Sequence, residues 1–552
     1  MYIIRFCQKR IYQIIFFLVF FLLGLIIHKD YGISIDEAFH RLMGFYWLNY
    51  VLDFFPNSDL KKEVYNILIN IREAHLNLDH LTPNNFIYGV FFDIPAGFIE
   101  TILNIKEPKE IYFFRHFLNF LIFFISLIYF YKILSERFSE KKWAFLGTTF
   151  LILSPRIFSN SFYNPKDLIF MSLIIISLFY YFKFLKVSNF KNSFLFGLFI
   201  AIATSSKSLA LIVIFIYVLF FLLSCLSKKE FFFKNIKFYI FGLGSYIIFT
   251  YISWPYLWSD PIGNLITSLK IYSDYPVKIY MLYNESYVRS DNLPWHYLFT
   301  WIGITTPVIY SILFIFGYSI IIIRFSKKFL VVDMPKKEND FWADVNEKFD
   351  LNIFILLTGV FFIVIKLDAT LYTGWRHMFF IYPLIIYISI LGLSNLYNNF
   401  YQYKKIILSL MIIYLISISY KMFLIHPMQN IYFNFLAGKN IHKKYEVDFW
   451  GLANIHFLNK ILTVEKNSQT INIGVASWTT LERSLALLNA NDRKKINVVG
   501  QEYHQADYLF NNFISEVNKK INDKYDIPKD FELYDEYYID SIKIYEVYKK
   551  IL

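Results

Sequence analysis

The segment Ile33-Ser34-Ile35-Asp36-Glu37-Ala38-Phe39-His40-Arg41 follows closely on an apolar stretch, Ile11–Ile27, and decides how the chain is read. The apolar stretch has the composition of a segment that sits in lipid, where roughly 20 mostly apolar residues cross the hydrocarbon. The two acids therefore emerge at the far membrane face, where a carboxylate stays hydrated and can meet a substrate. Further charges recur at the ends of later apolar segments. That arrangement reads as a reaction site at a membrane surface.

Composition sets the class. Of 552 residues, 56% are hydrophobic and 21% aromatic, and the mean hydropathy is +0.41. Soluble domains hold fewer apolar residues, so the expectation is an all-α polytopic membrane protein. The formal charge of +12 is spread through loops between apolar segments. The positive-inside rule accounts for that spread better than a nucleic-acid surface does. Cys7 and Cys225 lie far apart and give no disulfide framework or metal cluster.

Charge also sets orientation. Arg5, Lys9 and Arg10 precede the first span and place the N-terminus in the cytoplasm. No small-residue cleavage pattern follows Ile27, so the segment reads as an uncleaved anchor. Residues 28–84 form a long polar outer loop, with an amphipathic stretch over 60–78 suited to lying on the membrane. Residues 86–103, interrupted by Asp93, Pro95 and Glu100, read as interfacial or re-entrant. Spans follow at residues 112–134, 143–153, 168–184, 238–252, 297–323, 351–365, 378–396 and 406–424, with a hairpin over 195–225 broken at Thr204-Ser205-Ser206-Lys207-Ser208. The total is about eleven spans. An odd number leaves the chain outside from Ile425 onward.

The expected organisation is a transmembrane domain over residues 1–424 and a small extracytoplasmic α/β domain over residues 425–552. In the latter, residues 451–464 have helical periodicity and 471–476, 496–499 and 508–510 read as strands, with a hairpin over 532–538 and 541–548. No phosphate-binding Gly-rich loop and no nucleophile elbow is present in the sequence. No internal repeat is evident, which weighs against repeat-built transporters.

On this topology the outer face collects Asp36, Glu37 and His40, then Arg115-His116, Arg156, Lys166-Asp167, Lys207 and Arg376-His377. Any one of them can be a residue snorkelling to the interface. As a set they mix acids and bases, whereas the cytoplasmic turns carry mostly bases. A carboxylate near the interface can serve as general base toward a hydroxyl or amine. Arginine and lysine can hold a departing phosphate, arginine in bidentate fashion. Together these groups suit transfer of a group from a membrane-embedded phospholipid donor.

The same residues carry a resemblance. The order runs Asp36-Glu37 with His40, then Tyr88-Gly89 to Phe92-Asp93-Ile94, and Ser154-Pro155-Arg156 with Asn164-Pro165-Lys166-Asp167. It continues with Pro294-Trp295-His296-Tyr297, Ile304-Thr305-Thr306-Pro307, Gly374-Trp375-Arg376-His377, His426-Pro427 and Tyr432-Phe433-Asn434. Asp448-Phe449-Trp450-Gly451 and Ala506-Asp507-Tyr508 extend it into the tail. This order resembles bacterial integral-membrane glycosyltransferases of the GT-C superfamily, in the branch of protein O-mannosyltransferases and aminoarabinose transferases.

The resemblance implies an inverting transferase of the cytoplasmic membrane that uses a polyprenyl-phosphate sugar and an exported protein, lipid or polysaccharide acceptor. It makes Asp36 the expected base, with Glu37 beside it, and Asp167 the second catalytic acid. Arg156, Lys166, Lys207, Arg376 and His377 are then the expected holders of the phosphate donor. Some relatives use a divalent metal cation, for which Glu37, His40 and Asp167 would be the ligands. The rival reading is a polytopic transporter or lipid flippase, which would place ionisable residues in mid-span.

Overall fold

Two segments that are apolar on every side form the centre of the helical bundle, as such helices must. They are Asp167–Lys186 and Arg376–Asn399, each 89% buried over its apolar window. The computed structural model describes residues 2–55, 58–71, 86–227, 229–273, 275–330, 341–466 and 470–551. Within these, eight helices are long and apolar enough to cross a membrane, and the chain is a multi-pass membrane protein. Around the two central segments stand Pro108–Arg137, Ser208–Ser227 and Val345–Lys366. The outermost are Glu230–Ser253, Val308–Lys328 and Tyr401–Leu424, only 17–22% buried, whose exposed apolar faces suit contact with lipid.

Packing follows side-chain size. The first helix, Tyr2–Ile27, lays Phe20 and Phe21 against Phe120 and Phe124, with ring centroids 5.2–6.4 Å apart. Val308–Leu330 crosses Tyr382–Asn399 at Gly317 and Gly392. A Cβ on either glycine would lie 2.1 or 2.4 Å from a carbonyl oxygen of the facing helix, so only the smallest residue permits this approach.

Two spans differ from the sequence expectation, and the hairpin over 195–225 breaks where expected. Residues 143–153 form a helix of only 12 residues, Lys141–Ile152, which at 1.5 Å per residue reaches about 18 Å. Pro155 then starts a buried helix, Pro155–Tyr163. Residues 297–323 are two helices, Tyr297–Thr305 and Val308–Leu330, separated at Thr306-Pro307. The hairpin over 195–225 is Phe190–Ser206 and Ser208–Ser227, with Lys207 extended between them.

The loops expected on the outer face are more structured than the sequence suggests. The first contains helices Glu37–Leu52 and Asp59–Asn70, and the segment over 86–103 that follows it contains helix Asp93–Ile102. The amphipathic stretch expected over 60–78 is helical to Asn70, and its part from residue 72 lies outside the described residues. Asp93 and Glu100 point inward: Asp93 pairs with His40 at 3.3 Å, and Glu100 is gripped by Arg41 and Arg115. The second loop holds a hairpin, β1 (Tyr280–Tyr283) and β2 (Ser286–Arg289). Its two turn residues, Asn284 and Glu285, both have positive φ, as a hairpin that follows the strand twist requires.

The tail forms one five-stranded sheet from β3 (Ile471–Val475), β4 (Ile496–Gly500), β5 (Tyr508–Asn511), β6 (Phe531–Ile539) and β7 (Ile542–Lys550). The order is β4-β3-β5-β7-β6. β3 is parallel to both neighbours, while β7 is antiparallel to β5 and β6. Helix Asn454–Val464 packs Phe457 on Phe510 and Tyr545. The expected α/β character and hairpin are present.

Candidate active site

Asp36 occupies the N-cap position of helix Glu37–Leu52, yet its side chain makes no capping bond. An aspartate there ordinarily accepts a backbone N–H of its own helix. Here the carboxylate reaches across to Arg376 Nη1, a partner 340 residues away. Glu37 turns the opposite way and is 4% exposed. Its Oε2 accepts the Ser34 N–H at 2.6 Å, and its Oε1 lies 2.9 Å from His116 Nε2. The two neighbouring acids thus serve different places.

The second acid is set by an Asn turn. Asn164 Oδ1 accepts the N–H groups of Asp167, at 2.8 Å, and Lys166, at 3.3 Å, as asparagine side chains do at turns. Asp167 then opens its helix, where the positive dipole end favours an anion. Its Oδ1 receives Lys207 Nζ, which the break between the hairpin helices releases toward it. Arg376 reaches the same centre because Thr373 and Gly374 both have positive φ and turn the chain just before it. Tyr297 donates to the Gly374 carbonyl at 3.2 Å and fixes that turn.

These elements close around one cleft of about 370 Å³, lined by Asp36, Phe39, His40, Tyr88, Lys166, Asp167, Tyr275, Tyr372, Arg376 and His377. Arg376 is shared by the two acids: its Nη1 bonds Asp36 and lies 3.8 Å from Asp167 Oδ2. His377 Nδ1 lies 3.9 Å from Asp167 Oδ1. Burial pushes the Asp36 carboxyl up, but the Arg376 guanidinium and His40 outweigh it and hold Asp36 below its ordinary range. Burial, and then the Lys207 ammonium, draw the Lys166 amine well below the usual lysine range. An arriving anion would favour its charged form.

One wall is tyrosine. Tyr88 donates to Tyr275 at 3.3 Å, and Tyr275 stacks on Tyr372 with centroids 6.2 Å apart. The Lys166 ammonium sits 2.9 Å from the centre of the Tyr88 ring. Tyr88 belongs to a quoted motif, whereas Tyr275 and Tyr372 do not.

Of the expected residues, Asp36, Asp167, Lys166, Lys207, Arg376 and His377 come together. Arg156 does not line the cleft. It lies behind the Gly374 turn, over Phe433 and Trp301 at 4.7 and 5.3 Å, and donates to the Tyr432 carbonyl at 3.3 Å. The residues expected as metal ligands have other partners in this structure: Glu37 is engaged by Ser34 and His116, His40 by Asp93, and Asp167 by Lys207. Among the described residues no three His, Cys, Asp or Glu side chains converge on one point. The acids of the cleft are already neutralised by organic cations.

Residues 112–254 match the family model of the dolichyl-phosphate-mannose-protein mannosyltransferases. The resemblance drawn from the motif order is borne out. The matched segment carries Arg156, Lys166, Asp167 and Lys207, whereas Asp36 and Arg376 lie outside it. A crystal structure of ArnT from Cupriavidus metallidurans, bound to undecaprenyl phosphate, is similar at 10% sequence identity and a TM-score of 0.45, over 97% of this chain and 98% of that one. No curated protein matches.

Proposed function

We propose that the chain is an inverting glycosyltransferase of the cytoplasmic membrane. It moves a hexosyl or pentosyl group from a polyprenyl-phosphate donor to an exported protein, lipid or polysaccharide. The N-terminus is cytoplasmic, and residues 425–552 form a domain on the outer face, as does the cleft. The observation that carries this reading is one guanidinium shared by two acids in a tyrosine-walled cleft. The mannosyltransferase family match supports the donor class.

In this mechanism the donor phosphate takes Arg376, Lys207 and Lys166, and the sugar ring lies on the Tyr275–Tyr372 wall. The phosphate displaces Asp36 from Arg376, and the freed carboxylate faces the acceptor. Asp36 takes the proton of the acceptor hydroxyl or amine while its oxygen or nitrogen bonds the anomeric carbon from the face opposite the phosphate. The bond from that carbon to the phosphate oxygen breaks, its electron pair leaves with the phosphate, and the carbon passes through oxocarbenium character. Asp167 holds Lys207 and Arg376 in place and does not move a proton. Glu37 supports the Ser34–Asp36 turn from behind, and Arg156 supports the Gly374 turn.

The test is transfer by purified protein from a panel of polyprenyl-phosphate hexoses and pentoses, alongside mass spectrometry of envelope glycans with and without the gene. Asp36→Asn should lose about 10²–10⁴-fold in turnover, the usual worth of a general base, and stay folded. Sugar transfer by Asp36→Asn at the wild-type rate would end its assignment as base. A transporter would move lipid or sugar across the membrane with no new glycosidic bond.

A further inference from the structure

The turn that carries Asp36 is held by the C-terminal α/β unit at four successive points. Gly32 approaches the Leu452 backbone so closely that a Cβ there would lie 2.5 Å from its carbonyl oxygen. Ile33 is buried in a small cluster with Leu487 and Phe113. The Ile35 N–H donates to the Trp450 carbonyl at 3.2 Å. The Ile35 carbonyl accepts Arg483 Nη1. Both backbone groups of the residue before Asp36 are therefore bonded to a part of the chain more than 400 residues away.

The same unit touches the other member of the pair. The Arg376 guanidinium lies over the Trp450 ring, 4.7 Å from its centre. Trp450 is itself locked, because Asp448 accepts the N–H groups of Leu452 and Ala453 at 3.1 and 2.9 Å and closes the turn around it. The β1–β2 hairpin ties in the chain before Arg376: Tyr280 donates to the Glu516 carbonyl at 2.9 Å, and Leu371 donates to the Ser290 carbonyl at 3.2 Å.

We infer that the C-terminal unit is a clamp that sets the distance between Asp36 and Arg376, with Arg483 as a positioning residue acting through the Ile35 carbonyl. The inference rests on the proposed base role of Asp36. Arg483 lies outside the cleft lining, so its removal takes away no group that meets donor or acceptor. What it takes away is the charged donor that pins the peptide next to the carboxylate. Misplacing a reacting group by about 1 Å can cost roughly 10²-fold in rate.

The full-length enzyme is compared with Arg483→Ala, Arg483→Lys and Asp36→Asn. Arg483→Ala should lower kcat by about 10²-fold, with KM for the lipid donor within about twofold and an unchanged thermal midpoint. The acid limb of its kcat/KM profile should move to higher pH, because Asp36 loses contact with Arg376 while His40 and Asp167 still face it. Arg483→Lys should recover part of kcat and return the limb toward its original position. An inactive Asp36→Asn beside a wild-type Arg483→Ala overturns the clamp and leaves the base assignment standing. Wild-type activity in both overturns the base assignment and the clamp with it. A loss in Arg483→Ala matched by a fall in thermal midpoint, with no movement of the acid limb, also overturns the clamp.

Discussion

Arg376→Ala separates a donor-binding guanidinium from one that only balances charge. The side chain is 6% exposed, bonds Asp36, stands 3.8 Å from Asp167 Oδ2, and lies across the Tyr372 and Trp450 rings. A unit charge pair at that 3.8 Å separation attracts by roughly 4 kcal/mol at an effective dielectric near 20. Removing both ions from water offsets much of that. Lys207 still neutralises Asp167, and the Asp36 side chain is 27% exposed to the cleft. The folding loss should therefore fall at or below about 3 kcal/mol, the lower end for breaking a buried pair. For ligand, a charge-assisted contact is worth about 1.5–3 kcal/mol net, or roughly 10–150-fold in Kd. The assay is binding of polyprenyl monophosphate to the protein in lipid nanodiscs. Arg376→Ala should weaken binding by that factor. Arg376→Lys should fall between, since it keeps the charge and loses the fork. Asp36→Asn should bind at least as tightly as wild type, because the competitor for the guanidinium is gone. Folded Arg376→Ala that binds polyprenyl phosphate like the wild type would refute the reasoning and leave Arg376 as a group that only balances the charge of Asp36 and Asp167.

Glu37→Gln should reduce thermal stability, through weakened contacts to Ser34 and His116, more than it reduces transfer, and EDTA should leave wild-type transfer unchanged; chelator-sensitive transfer that disappears in Glu37→Gln would restore a metal role. Burial raises the Glu446 carboxyl from its ordinary value near 4.5 to about 8, with Arg376 pulling the other way. The folded state therefore prefers the protonated acid, and wild-type stability declines as pH rises from about 4.5 to about 8. The thermal midpoint of Glu446→Gln relative to wild type should rise across that window and level off above it; a pH-independent difference would contradict the buried-acid account. Reporter fusions at Lys337 and after Leu552 should report cytoplasmic and outer locations respectively, and equal cytoplasmic signal from both would overturn the orientation.

The helical bundle was legible because long apolar runs have few other stable forms in lipid. The breaks at Lys207 and Thr306-Pro307 mark where such reading succeeds and fails. A lysine among apolar residues announces a turn, whereas Pro307 inside a long apolar run was absorbed into one span. Residues 143–153 were counted as a span on their apolar composition, but the helix Lys141–Ile152 is only 12 residues long. The β1–β2 hairpin went unread since Asn284-Glu285 lacks the glycine that usually marks such a turn.

At the site, charge type and position along the spans identified Asp36, Lys166, Asp167, Arg376 and His377, which line the cleft, and Lys207, which bonds Asp167 from beside it. Orientation was harder. Arg156 and Lys166 belong to the same expected outer turn, but the buried helix Pro155–Tyr163 aims Arg156 at Trp301 and Phe433. The tyrosine wall was hidden by abundance: with 44 tyrosines in the chain, no single one stands out. The contacts of Arg483 and Trp450 with Ile35 were invisible for another reason. They involve backbone groups, which carry no residue-type signal.

Pairing Asp36 with Arg376 in the resting protein has a consequence for the proposed chemistry. A carboxylate held below its ordinary range is always ionised at neutral pH but is a weak base. Once a phosphate oxygen replaces it on the guanidinium, Asp36 loses the contact that lowers it and keeps the burial that raises it. Its basicity then rises only while donor is bound, which couples proton removal from the acceptor to the presence of a leaving group. Asp167 is held differently, because Lys207 carries three N–H donors and can stay on it while also meeting the phosphate. The asymmetry between the two acids, Asp36 paired among the described residues with Arg376 and Asp167 with Lys207 as well, supports the proposed base role of Asp36 and the proposed cation-holding role of Asp167.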